Sequence, residues 1–200
     1  MDTKATLLQI KADLRAAMNG VASAYMRQHG SSTYKVNFGV EMPRLQTIAA
    51  DLPHTHELAQ ALWKEDIREC KLLALMLHPT DSFSAELADV WMEQMPGPEM
   101  VTWGAHLLFA RLPYAPTLAF NWMAHQDEHY QQAGFLIMAR LLGEGAELNA
   151  RSQAEFLDQA QAALGSSPAV RQAATAALQR YANSSSEAEA QVERLLNPSN

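Results

Sequence analysis

Residues 87–91 read Leu87-Ala88-Asp89-Val90-Trp91, and residues 118–122 read Leu118-Ala119-Phe120-Asn121-Trp122, thirty-one residues on. A looser copy, Leu58-Ala59 leading to Trp63, stands twenty-nine residues before the first. Each copy runs into a polar turn and then a second apolar-periodic segment, over 65–77, 98–111 and 128–142, and a weaker fourth unit pairs 152–164 with 168–182. Self-similarity at a period of about thirty residues marks a chain built from one repeated supersecondary unit.

The period inside each unit is helical. Apolar residues recur at three- and four-residue spacing in Leu7, Ile10, Leu14 and Ala17, in Ile67, Cys70, Ala74 and Leu77, and in Leu157, Ala160 and Leu164, with few β-branched runs. A helix pair of this length cannot bury its apolar face alone and must stack on its neighbours. The expected architecture is therefore all-α: a HEAT-like helical-repeat solenoid, a curved α-α superhelix, forming a single domain over residues 1–200. Trp63, Trp91 and Trp122, at matching places in successive copies, read as packing between helices.

Turn chemistry falls where this scheme needs it. Gly30-Ser31-Ser32 ends an early helix, Pro43 suits the first position of the next, and Asp81-Ser82 is placed to cap another. Pro96-Gly97-Pro98, the segments 113–116, 143–145 and 165–168, and Ser184-Ser185-Ser186 before Glu187 mark further breaks. The spacers are short, as between antiparallel neighbours.

Two hundred residues with 48% hydrophobic content suffice for a core that removes roughly 70% of the unfolded chain's surface from water. One cysteine allows no internal disulfide, and Met-Asp-Thr-Lys-Ala-Thr at the start is no secretory leader. No apolar run approaches the roughly 20 residues that span a bilayer. A cytoplasmic protein without membrane partners is expected. Net charge is −7, unevenly spread: residues 1–71 carry nine Lys/Arg against eight Asp/Glu, and residues 72–200 carry six against fourteen. Such a balance disfavours generic polyanion binding and leaves a local basic face in the N-terminal part.

Candidate chemistry is sparse. His125 and His129 are four residues apart, a spacing that would put two imidazoles on one helical face, but Asp127 and Glu128 between them read as a cap and first-turn charge. His54 and His56 diverge on a helix. Cys70 lies on an apolar stripe, where thiols are inert, although Arg68 and Lys71 flank it. There is no phosphate-cradling glycine loop and no G-x-S-x-G, and neither a metal nor a cofactor is expected. Lys64, Arg68 and Lys71 lie three to four residues apart at the start of one unit's second helix and so share one helical edge, with Glu65, Asp66 and Glu69 available to neutralise it.

The run Phe38-Gly39-Val40-Glu41-Met42-Pro43-Arg44, then His56 to Trp63 and Ile67 to Ala74, resembles the DNA alkylation repair family of HEAT-like proteins. The resemblance extends through 119–139 and through Val170-Arg171-Gln172-Ala173 to Gln179-Arg180-Tyr181-Ala182, so that it covers about residues 35–182. It implies a solenoid whose second helices cradle duplex DNA, and, in active members, excision of alkylated purines. Those members carry a Trp followed four residues later by an Asp that stabilises the cation developing on the sugar.

In Val101-Thr102-Trp103-Gly104-Ala105-His106-Leu107-Leu108-Phe109, Trp103 matches that tryptophan, and the position of the acid is Leu107. His106, one residue earlier, supplies no negative charge. An Arg expected after Trp122 is Gln132, and a second tryptophan expected near 175–177 is Ala176. The resemblance thus implies a member that binds DNA, damaged or structured, with Trp103 and Gln132 at its matching positions and little or no glycosylase activity, and the basic edge of Lys64, Arg68 and Lys71 is the expected phosphate contact. A protein-binding scaffold, and a glycosylase rearranged around His106 or Glu99, are the alternatives.

Overall fold

The computed structural model describes residues 2–29 and 34–197, so the turn expected at Gly30-Ser31-Ser32 lies outside the described residues. Among the described residues the chain is all-α: twelve α-helices, 3-10 turns at Thr80–Ser82 and Phe109–Arg111, and one isolated parallel bridge between Val36 and Ile67. Among the same residues no helix is long and apolar enough to cross a membrane. Two compact units can be described along the chain, Met1–Leu108 and Phe109–Asn200. Helix pairs stacked in series each gather a local core, so compactness follows groups of pairs.

The first unit holds α1 (Thr3–Ala16), α2 (Gly20–His29), α3 (Met42–Ala50), α4 (His56–Trp63), α5 (Arg68–Leu77), α6 (Ala85–Glu93) and α7 (Pro98–Leu107). Its centre is α5, which is buried at every position except Lys71 and packs on α3, α4 and α7. A helix covered on all sides must be apolar nearly all round, and the run Leu72 to Leu77 meets that demand. Pro43, expected at the first position of α3, stands one residue later, after Met42 and still in the first turn. Asp81 and Ser82 form a 3-10 turn instead of a cap, and Ser84 takes that role, its Oγ accepting from the Leu87 amide at 3.2 Å.

The tryptophan repeat is a packing device. The rings of Trp63 and Trp91 lie parallel with centroids 4.1 Å apart, so the same residue of two successive units meets face to face. Trp63 Nε1 donates to Gln94 Oε1 at 2.8 Å, and the edges of Phe83 and His78 close on Trp91. Only 1% of Trp91 remains exposed, and 2% of Trp63.

The second unit holds α8 (Ala115–Met123), α9 (Glu128–Gly143), α10 (Ala150–Ala163), α11 (Pro168–Ala182) and α12 (Ser186–Leu196). Helix α9 lies along α8 on one side and α11 on the other. Gly134 permits the first approach: a Cβ there would sit 2.5 Å from the Met123 nitrogen and 2.8 Å from the Ala119 oxygen. Trp122 is buried against the ring edges of Phe109 and Tyr130 at 5.0 and 5.4 Å. The expected caps are made, with Asp127 accepting from the His129 amide at 2.8 Å and Ser185 Oγ from the Ala188 amide at 3.1 Å.

Candidate nucleic-acid interface

Helix α7 starts at Pro98 and buries Met100, Val101, Gly104 and Ala105. Its other face leaves Glu99, Thr102, Trp103, His106 and Leu107 half-buried. Glu99, Trp103, His106 and Leu107 follow helical spacing, so a carboxylate, an indole, an imidazole and an isobutyl group share one stripe. Trp103 keeps part of its ring open to solvent, unlike Trp63, Trp91 and Trp122. One turn after it stands Leu107, where the resemblance places an acid. The stripe offers an aromatic wall and no charge at that place.

The three cations expected on one edge are not on one helix, because the helix expected over 65–77 begins only at Arg68. Ile67 is extended and bridges to Val36; Val36 donates its amide to Asp66 O, and Arg68 donates its own to Val36 O, each at 3.1 Å. Lys64 caps the C-terminus of α4 and is exposed. Arg68 is 5% exposed. Its Nε donates to Glu99 Oε1 at 2.9 Å, its Nη2 reaches the same oxygen, and its Nη1 lies 3.5 Å from Glu69 Oε1. Burial works against the Arg68 charge, but Glu99 and then Glu69 outweigh it and hold the guanidinium above its ordinary range. Lys71 donates Nζ to the Trp63 carbonyl at 2.8 Å and lies over the Trp63 ring at 4.4 Å. Burial lowers its pKa, against the pull of Asp66. Of the three, Lys64 alone presents its charge outward.

Of the three acids Asp66 is exposed and acts on Lys71, whereas Glu65 and Glu69 are engaged elsewhere. Glu65 pairs with Lys11 at 2.6 Å. Glu69 is fully buried, and its two oxygens accept the backbone amides of Phe38 and Val40 at 3.1 and 3.3 Å. The Arg68–Glu99 and Trp63–Gln94 bonds both span thirty-one residues, the same step that separates Trp91 from Trp122. That period was a usable signal: side chains one repeat apart meet each other.

The remaining candidates are placed as follows. In the second unit Gln132 is 5% exposed and so offers little surface to a ligand; Ala176 is half-buried on α11. His129 belongs to α9 while His125 precedes it, stacks on Tyr130 at 4.1 Å and accepts the Asp127 amide on Nδ1, so the two imidazoles do not share a helical face. Burial, assisted by Glu65, pushes the Cys70 thiol up to about 12, which leaves no thiolate for nucleophilic work. His56 pairs with His78, a contact that spacing does not reveal.

The fold defines the class. A solved protein described as belonging to "a new family of proteins related to the HEAT-like repeat DNA glycosylases with affinity for branched DNA structures" superposes with a TM-score of 0.83 at 20% identity, covering 98% of this chain and 82% of that one. The chain is thus an all-α HEAT-like repeat protein. Residues 10–196 match the sequence profile of the DNA alkylation repair enzyme family, and the protein belongs to that family. No curated protein matches it.

Proposed function

We propose that this protein binds DNA, structured or branched forms in particular, through the face to which α7 contributes Trp103, and that it does not excise alkylated purines efficiently. The observation that carries this reading is the α7 stripe. Trp103 is half-open to solvent, and the position one turn later is Leu107. A sugar cation developing there would meet a hydrocarbon where charge stabilisation is required. Glu99, one turn on the other side of Trp103, is the nearest substitute acid on the stripe, but its Oε1 accepts two nitrogens of Arg68. His106 brings no negative charge. The described affinity of the structurally similar protein for branched DNA supports the choice of ligand.

Lys64 and Trp103 are the direct contacts in this proposal; Arg68 and Lys71 act by holding Glu99 and the end of α4. Titration of the protein against duplex, nicked and four-way-junction DNA at two salt concentrations tests it. Binding should fall steeply as salt rises, because affinity rests on a few phosphate contacts, and Trp103→Ala should weaken it. Release of alkylated purines from duplex should match a no-enzyme control. Excision well above that control and abolished by Trp103→Ala would restore catalysis to the site. A second reading, a scaffold for a basic protein partner, is favoured by the fourteen acids against six cations in residues 72–200. Absence of binding to every DNA form at low salt would select it.

A further inference from the structure

Among the described residues, α2 is the least buried α-helix of the first unit. It buries only Ser23, and that residue is gripped by the segment behind it: Ser23 Oγ donates to Asn37 O at 2.6 Å, and the Asn19 amide donates to Phe38 O at 3.0 Å. Gly39 at φ +70° makes this approach achievable, since a Cβ there would collide with Asn19 O and the Ser23 amide. The outward face of α2 carries Val21 and Tyr25, which are 83% and 64% exposed, and Met18, 56% exposed, stands in the turn just before the helix. Positions 21, 25 and 29 follow one another at helical spacing, and the His29 ring stacks on Tyr25 with centroids 4.3 Å apart and 23° between planes.

The charge around this face is unusual for an acidic protein. Between Asp13 and Glu41 the sequence has no carboxylate at all, yet it contains Arg15, Arg27 and Lys35, and all three are exposed. In a chain of net charge −7, such a stretch is where an approaching polyanion meets attraction instead of repulsion. Charge thus selects an anionic occupant.

We propose that α2 is a second nucleic-acid contact, at which an unpaired base stacks on Tyr25 while the exposed Arg15, Arg27 and Lys35 of this stretch attract the phosphates. This rests on the DNA-binding reading above and extends it to the feature that separates branched or gapped DNA from plain duplex, an unstacked base. Magnitudes favour this occupant. Two large exposed side chains on a ten-residue helix, with Met18 just before it, fall far short of the ~1,200 Å² that a stable protein interface buries. Stacking needs only one accessible ring, and any base supplies the other face. The Tyr25–His29 stack holds that ring in place before the base arrives.

The test uses the full chain and three labelled probes: a fully paired duplex, the same duplex with a short run of unpaired thymines, and oligo-dT. Wild type should prefer the probes with unpaired bases. Tyr25→Ala should weaken binding to those two by about tenfold and leave the paired duplex unchanged, and Tyr25→Phe should restore affinity. The Arg27→Gln/Lys35→Gln double variant should weaken all three and lower the salt slope by about one unit per lost contact. Circular dichroism confirms folding, which a solvent-facing position leaves intact. Equal affinities of wild type and Tyr25→Ala on every probe would overturn the inference while leaving DNA binding standing. No binding of wild type to any probe would overturn both. A wild-type dimer in sedimentation that Tyr25→Ala dissolves, or Tyr25-dependent flotation with anionic vesicles, would assign the face to a second copy or to a membrane and refute the proposal.

Discussion

Replacing Glu69 with Gln should destabilise the first unit by about 3 kcal/mol, although the change keeps size and shape. The carboxylate is fully buried and divides its oxygens between two backbone donors, Oε2 taking the Phe38 amide and Oε1 the Val40 amide. A glutamine has one carbonyl oxygen. Whichever amide keeps it, the other faces an NH₂ group, donor against donor, in a place water does not reach. Each hydrogen bond to a charged acceptor is worth about 1.5–3 kcal/mol, and an orphaned buried donor costs about 1–3 kcal/mol. The Arg68 guanidinium adds little to the sum, because its Glu69 contact is long at 3.5 Å and Glu99 still holds it. Glu69→Ala removes both acceptors and leaves a hole, and should cost about 4–5 kcal/mol. Urea unfolding gives the total, with a midpoint shift of roughly 1.5 M for Gln if the slope is about 2 kcal/mol/M. Native-state hydrogen exchange gives the location: protection at the Phe38 and Val40 amides should collapse first, and α2, anchored through Asn37 and Phe38, should loosen with them. A loss below about 1 kcal/mol with both amides still protected would refute the reasoning.

Two further outcomes follow from the packing. Trp91→Ala and Trp122→Ala should each cost roughly 3–5 kcal/mol, since both indoles are buried among aromatic neighbours; denaturation midpoints near wild type for either would show that the repeat does not pack through them. His78 should make stability pH-dependent. Its Nδ1 lies 2.9 Å from the Pro79 carbonyl, which can only accept, so Nδ1 carries the proton and Nε2 accepts from His56 Nδ1 at 2.9 Å. Burial lowers the His78 pKa, opposed by the Pro79 bond and assisted by His56. The unfolded chain therefore takes up a proton that the folded one refuses: this contribution is complete above about pH 6.5 and is lost as the pH falls through the lowered folded value. Comparing urea midpoints at about pH 8 and about pH 5 should show a loss in wild type that is smaller in His78→Leu, and parallel losses would exclude His78 as the cause.

What the sequence determined by itself was local and periodic. Helical spacing, the turn residues and the recurrence of Leu-Ala-x-x-Trp specify an all-α chain of stacked pairs, and the stacking of Trp63 on Trp91 realises that repeat. The caps at Asp127 and Ser185 were equally legible, because a side chain bonding an amide two or three residues away needs no distant partner. The replacement of an acid by Leu107 is likewise a fact of sequence, and it shapes the functional reading more than any distance does.

The tertiary structure decided the fate of the charges. Lys64, Arg68 and Lys71 would form one edge if the helix were continuous, but Val36, some thirty residues earlier in the chain, pairs with Ile67 and delays the helix until Arg68. Arg68 then turns inward to Glu99, and Glu69 to the amides of Phe38 and Val40. A helical wheel looks the same whether water or another segment covers a given face, so periodicity cannot say which charges are solvated. Nor can it say which apolar faces stay open: Val21 and Tyr25 have the spacing of a core stripe, yet both are exposed on the surface of α2.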